Sequence, residues 1–125
     1  MGDHRRADRV AEIIREEVAQ FLTSGVKDPR LVALVTVTAV DVTRDLKHAR
    51  IFVSLLGSDA DKASSLEALA SMTGHLRTRV ARVMRLRVAP QLAFRADESV
   101  ERAARIESLL AQVRDRKSDD RGSGT

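Results

Sequence analysis

The stretch SMTGHLRTRVARVMRLR, residues 71–87, has the spacing of an amphipathic helix and carries five arginines. At 100° per residue its apolar side chains fall on one side of the helix, namely Leu76, Val80, Val83 and Met84. Arg82 and Arg85 then point away from that side. Arg77 and Arg79 lie on its flanks. The spacing predicts a helix that buries one face and presents guanidinium groups on the other.

Gly74 interrupts this apolar stripe, which begins upstream with Leu66 and Leu69. A glycine inside a helix costs ~1 kcal/mol relative to alanine, because it loses more backbone freedom on folding. We therefore interpret Gly74 as a bend between two helices, or as a position where another group approaches the backbone closely.

Upstream, two alternating stretches predict an antiparallel β-hairpin around a short polar connection at residues 43–48. The first, LVALVTVTAVDV at residues 31–42, has two predicted faces: Val35, Val37 and Ala39 opposite Thr36, Thr38 and Val40. The second, ARIFVSLLG at residues 49–57, also has two: Ile51, Val53 and Leu55 opposite Phe52, Ser54 and Leu56.

Three further elements flank these. Apolar spacing predicts a first helix over roughly Arg5 to Thr23, ended by Ser24 and Gly25. Pro90 ends the arginine helix, and alternation over residues 92–96 predicts a short third strand. A last helix begins at Asp97 or Ser99 and carries these apolar residues: Val100, Ala103, Ile106, Leu110 and Val113.

These elements predict an α+β fold in the order helix, strand, strand, kinked helix pair, strand, helix. Helices should cover a three-stranded sheet. The length of 125 residues favours one domain, which we place at residues 1–114. The remaining residues, 115–125, have no apolar side chain to pack, so we expect a disordered tail.

Composition argues against several functional classes. The chain has no cysteine, and no apolar run approaches the ~20 residues that span a bilayer, so we expect a soluble cytoplasmic protein. It has no glycine-rich phosphate loop and no nucleophile or zinc motif. His4, His48 and His75 are scattered. We therefore predict neither catalysis, nor a metal site, nor a cofactor.

Positive charge is concentrated rather than spread. The net charge is only +4, but residues 68–96 contain six arginines and no acidic residue. Such a stretch favours a polyanionic partner. Other basic residues extend the row of candidates, in the hairpin at Arg44, Lys47 and His48, and on the first helix at Arg5, Arg6 and Arg9.

Aromatic residues make up only 2% of the chain, which argues against bases stacked on a sheet face. Guanidinium groups that grip phosphates favour binding to the backbone of structured nucleic acid instead. The candidate RNA-binding residues are Arg44, Lys47, His75, Arg77, Arg79, Arg82, Arg85 and Arg87.

The helix junction at Gly74, within this element order, resembles a type II KH domain, although a KH loop has Gly-x-x-Gly and this chain has only Gly74. Residues 26–57 together with 74–99 are similar to bacterial ribosome-binding factor A, a resemblance that covers about Arg5 to Val113. In that family an Ala-x-Gly kinks the helix pair. The matching positions here are Met72, Thr73 and Gly74.

The resemblance implies a small, non-catalytic, monomeric factor in the cytoplasm. It implies binding to the free or immature small (30S) ribosomal subunit through 16S rRNA, and support for late maturation, including processing of the rRNA 5′ end, and for growth in the cold. Other small-subunit maturation factors are implied as partners. Two alternatives stay open: a KH-like nucleic-acid-binding module unconnected with ribosomes, and a protein-interaction domain whose arginines meet an acidic partner.

Overall fold

A computed structural model describes residues 2–24 and 28–123, with side chains described for residues 5–24, 28–99 and 102–116. Four helices and three strands follow the predicted order, which confirms the α+β fold: α1 (Gly2–Thr23), β1 (Leu34–Val42), β2 (His48–Leu56), α2 (Asp59–Ser71), α3 (Thr73–Met84), β3 (Gln91–Ala96) and α4 (Ser99–Ser123). Gly25, predicted to end the first helix, lies outside the described residues.

The sheet has the strand order β1-β2-β3, with β2 in the centre. It pairs antiparallel with β1, which confirms the predicted hairpin, and parallel with β3. Alternate residues of β2 are buried, and they form one of its two predicted faces: Ile51 and Val53 are fully enclosed, and Leu55 is nearly so. Helices cover this one face, because the core joins it to α1 through Ile14 and to α3 through Leu76.

The predicted faces of β1 are correct only in its first half. Val35 and Val37 face the core, but the register with β2 shifts between Val37 and Ala39, so one extra residue is inserted there. Ala39 is consequently exposed, and Val40 packs against the core instead. A one-residue bulge reverses the facing of every later side chain, and no glycine in the strand signals it.

The helix pair is interrupted at Met72, which ends α2 and precedes α3 with φ −90° and ψ −7°. The Met72 side chain is buried in the core, so the interruption is held by packing. Gly74 lies inside the first turn of α3, and a Cβ added there would meet nothing within 4 Å. The break therefore falls two residues before the glycine that we expected to cause it.

The last helix, α4, extends to Ser123, into the segment predicted to be a disordered tail. Its side chains at residues 102–116 are all exposed, and Ile106, Leu109, Leu110 and Val113 are each about half exposed. The domain boundary at residue 114 stays a prediction. Within residues 2–24 and 28–123, no helix combines the length and apolar character that crossing a membrane requires.

Candidate nucleic-acid interface

The guanidinium of Arg77 forms hydrogen bonds within the fold. Its Nε donates a hydrogen bond to the carbonyl of Pro90 at 3.1 Å, and its Nη2 donates to the carbonyl of Ala89, also at 3.1 Å. A planar guanidinium can span two successive carbonyls in this way, whereas an ammonium is a single point. Arg77 thus ties α3 to the loop that leads into β3.

Arg79 is also used within the fold. Its Nε lies 2.6 Å from Oε2 of Glu17, so this ion pair joins α3 to α1. The two side chains are only 31% and 16% exposed. Sequence spacing placed Arg77 and Arg79 on the flanks of the helix, and at the flanks each guanidinium meets a neighbouring element. RNA contact through either residue stays a prediction.

Arg82, Arg85 and Arg87 are exposed. In the part of the chain that the structure describes, none of their guanidinium groups forms an ion pair or a side-chain hydrogen bond. Arg82 lies beside His75, Thr78 and Arg79 on a shallow depression of about 240 Å³. His75 packs its ring against Phe21 of α1, with the ring centroids 5.2 Å apart.

A larger depression brings together the other candidates, and we call it the cationic cavity. It has a volume of about 690 Å³ and opens between the hairpin turn, the start of α1 and the loop after α3. Among the residues whose side chains are described, five cations and one carboxylate, that of Asp45, line it; the cations are Arg6, Lys47, Arg77, Arg85 and Arg87. His48 lines it too, and its apolar wall consists of Leu46, Leu86, Val88 and Ala89.

The hairpin turn forms one wall of the cationic cavity. Asp45 organises this turn, because its Oδ1 accepts hydrogen bonds from Thr43 Oγ1 at 2.6 Å and from the amide of Lys47 at 3.0 Å. The hydrogen bond from Thr43 is the main reason why the pKa of the Asp45 carboxyl lies below its usual range. The Lys47 carbonyl accepts from the Gln91 amide at 2.8 Å, which fixes the turn to β3.

Two residues with left-handed backbone conformations flank the cationic cavity. Leu46 has φ +62° in the hairpin turn, and Arg85 has φ +54° where α3 ends. The amide of Arg85 bonds back to α3, and the amide of Leu86 donates to the Ala81 carbonyl at 3.0 Å. Glycine usually occupies such positions, since it has no Cβ to clash.

Seven of the eight candidate RNA-binding residues therefore separate into two groups. Lys47, Arg77, Arg85 and Arg87 meet at the cationic cavity, while His75, Arg79 and Arg82 lie together on the smaller depression. Arg44 is exposed in the hairpin turn and does not line the cavity. Arg6 and His48 were noted as possible extensions of the row, but sequence alone does not show that they complete this wall. Among the described residues, no cluster of three or more histidine or acidic side chains is placed to hold a metal ion.

Comparison with known proteins places these features in a family. The family model described as ribosome-binding factor A matches residues 6–110. Ribosome-binding factor A of Gemmatimonas aurantiaca is 62% identical over 117 residues, which cover 94% of this chain and 80% of that protein. The protein of the same name from Clostridium botulinum strain Loch Maree is 42% identical over 115 residues, covering 92% and 96%.

Comparison with solved structures gives the same family. The crystal structure of ribosome-binding factor A from Thermus thermophilus matches with a TM-score of 0.63 and 25% identity, covering 74% of this chain and 97% of that one. A homology model of the Thermus thermophilus protein, fitted into the cryo-electron microscopy map of its complex with 30S, matches with a TM-score of 0.54 and 27% identity, covering 74% and 92%. The chain belongs to the ribosome-binding factor A family.

Proposed function

We propose that this chain binds the free or immature small ribosomal subunit through 16S rRNA and supports its late maturation, including processing of the rRNA 5′ end. The observation that carries the proposal is that the exposed guanidinium groups of Arg82, Arg85 and Arg87 form no ion pair with any side chain that the structure describes, in a member of this family. The relative from Thermus thermophilus fitted into a 30S complex supports the choice of partner.

The mechanism is electrostatic and geometric. Guanidinium forks bind phosphate oxygens in pairs, and the release of counterions from RNA supplies much of the affinity. The chain acts as a non-catalytic monomer in the cytoplasm. By occupying rRNA during late assembly, alongside other maturation factors, it favours the conformation in which the 5′ end is processed, a step that matters most in the cold.

Sedimentation of lysate through a sucrose gradient tests the binding. We expect the protein to migrate with free small subunits and not with intact ribosomes, and to leave them at high salt. The logarithm of the affinity should fall with the logarithm of salt concentration by ~0.7–0.9 for each phosphate that the protein neutralises. Retention at the top of the gradient at low salt would contradict the proposal. Migration with another complex that survives nuclease treatment would point to a protein partner instead.

A charge-reversal variant locates the surface. We expect Arg82→Glu combined with Arg85→Glu to abolish migration with the subunit and to leave the fold intact, because both side chains are exposed and neither guanidinium bonds to a described side chain. The matched control is Arg105→Glu combined with Arg114→Glu on α4, which changes the net charge equally at exposed positions. Equal loss in both variants would show that only net charge matters and would refute the assignment of this surface.

A further inference from the structure

We propose that the cationic cavity holds one unstacked nucleotide of single-stranded RNA, with its phosphate against Lys47, Arg85 and Arg87 and its base against the apolar wall. This inference rests on the proposed function for the identity of the RNA. It goes further by assigning the chemical form of the RNA segment that enters this part of the surface.

The shape of the cationic cavity favours a single nucleotide. A volume of about 690 Å³ lies within the range that encloses small organic ligands. The cavity is a recess between the hairpin turn and the loop after α3. A double helix is too wide to enter such a recess and would meet only its rim, whereas a splayed nucleotide from a loop, bulge or strand end can enter.

The charges favour phosphate as the polar part of the ligand. Two of the charged groups are already engaged, because Arg77 bonds to the Pro90 and Ala89 carbonyls and Asp45 bonds within the hairpin turn. The other cations that line the cavity are Arg6, Lys47, Arg85 and Arg87. They come from three parts of the fold, namely α1, the hairpin turn and the chain from the end of α3 onward, and several cations together suit a group with several anionic oxygens.

The apolar wall favours a ligand that carries an apolar group in addition to its phosphate. Val88 is 74% exposed beside the cavity, and Leu46 and Leu86 are half-buried in its lining. Exposed aliphatic groups next to a cluster of cations suit a molecule that carries an anion and a flat apolar face at a short distance. A nucleotide has this combination, and an inorganic anion does not.

The backbone supplies an independent argument. Among the described residues, Leu46 and Arg85 are the non-glycine residues with positive φ, and both line the cationic cavity. The left-handed conformation is unfavourable for such side chains, and residues held in it cluster at binding sites. Both residues thus line one recess, Leu46 in the hairpin turn and Arg85 at the end of α3.

The test is titration of the full-length chain with tetrauridylate. Binding is measured by isothermal titration calorimetry and by the chemical shifts of the backbone amides. We expect shifts at residues 45–48 and 85–89, and no such binding by a blunt RNA duplex of the same concentration in nucleotides. Uridine monophosphate should bind at the same amides more weakly, and inorganic phosphate more weakly still. Saturation by the mononucleotide as tightly as by the tetranucleotide would assign the cavity to free nucleotides and overturn the proposal.

Variants distinguish binding in the cationic cavity from attraction by the net positive charge of the protein. Lys47→Gln combined with Arg87→Gln should weaken tetrauridylate binding about tenfold or more, and should lower the salt slope by ~0.7 for each phosphate that is no longer neutralised. The control, Arg95→Gln combined with Arg105→Gln, removes the same charge at exposed positions outside the cavity and should change the affinity less than about threefold. Val88→Asn should weaken tetrauridylate binding without altering the response to inorganic phosphate.

The two proposals fail separately. If the wild-type protein migrates with small subunits but neither tetrauridylate nor the mononucleotide shifts these amides, the nucleotide site is refuted and the ribosomal function stands. If tetrauridylate binds in the cavity but the chain never migrates with subunits, the ribosomal function is refuted instead. Duplex binding as tight as tetrauridylate binding, or equal affinity in the cavity variant and the control, also refutes the site.

Discussion

The arginines of α3 have different roles, and the groups around each side chain determine its role. Arg77 bonds to the carbonyls of Ala89 and Pro90, and Arg79 pairs with Glu17. The guanidinium of Arg82 forms no ion pair or hydrogen bond with a described side chain, although it lies beside His75 and Thr78. The 100° spacing predicts which arginines lie on the flanks of the helix. It carries no information on which carbonyl or carboxylate a neighbouring element brings to that flank, because this depends on packing between segments far apart in sequence.

This difference predicts the effect of conservative replacement. Arg77→Lys keeps the charge but cannot bond to two carbonyls at once, so we expect the free energy of unfolding to fall by about 1–2 kcal/mol. Arg82→Lys should change it by less than about 0.5 kcal/mol, since Arg82 is exposed. Urea denaturation followed by circular dichroism compares the two, and equal stabilities would show that the Arg77 hydrogen bonds contribute little.

At the scale of elements, two glycines have opposite requirements, Gly57 just before α2 and Gly74 in the first turn of α3. Gly57 has φ +153°, and a Cβ added there would come within 3.0 Å of the Asp61 side chain, which is part of the capping box of α2 with Ser58. Gly74 has ordinary helical backbone in α3, with open space around it. Composition alone does not distinguish them, whereas the backbone does.

We therefore expect Gly57→Ala to lower the free energy of unfolding by about 1 kcal/mol or more, since alanine fits neither the backbone angle nor the space. Gly74→Ala should raise it by up to ~1 kcal/mol through better helix propensity. Thermal unfolding checks both. A stable Gly74→Ala protein that binds subunits poorly would indicate that RNA approaches this backbone closely, whereas unfolding of both variants would contradict the structure of the junction.

Sequence patterns predicted the helices and strands far better than the β-bulge and the left-handed turns that interrupt or end them. The alternation in β2 is regular, and its two faces are divided as predicted, because every residue there keeps the pleat. In β1 a single inserted residue exchanges the faces of Ala39 and Val40. Leu46 and Arg85 likewise take left-handed conformations without the glycine that would announce them. Both residues line the cationic cavity, so the shape of its lining was not predictable, although most of its basic residues were already among the candidates.

At the scale of the whole molecule, we expect stability in acid to depend on a carboxylate that links the sheet to the start of α4. Asp97 accepts hydrogen bonds from Thr38 Oγ1 at 2.6 Å and from the Ser99 amide at 2.9 Å. These bonds, that from Thr38 first, lower the pKa of Asp97 to about 2. Since the unfolded chain retains the ordinary value near 3.8, it binds more protons than the folded chain between these two pH values.

The stabilisation from Asp97 is thus fully present above about pH 5 and is lost as the pH falls through about 2. We expect Asp97→Asn to make the decline of stability between pH 5 and pH 2 shallower than in the wild type. Urea midpoints measured across this range test the difference. Asp28 and Asp45, whose pKa values are also lowered, titrate in both proteins and cancel in the comparison. Parallel curves would show that Asp97 plays no part.

The exposure of helix α4 has a consequence for how fast different parts of the protein unfold. A helix with every side chain from residue 102 to residue 116 in solvent gains little from tertiary packing, so its order depends on the helix–coil equilibrium of its own sequence. Its amide protons should exchange with deuterated water long before those of Ile51 and Val53 in the central strand. The chain would then open in two stages, the free helix within microseconds and the sheet only on global unfolding.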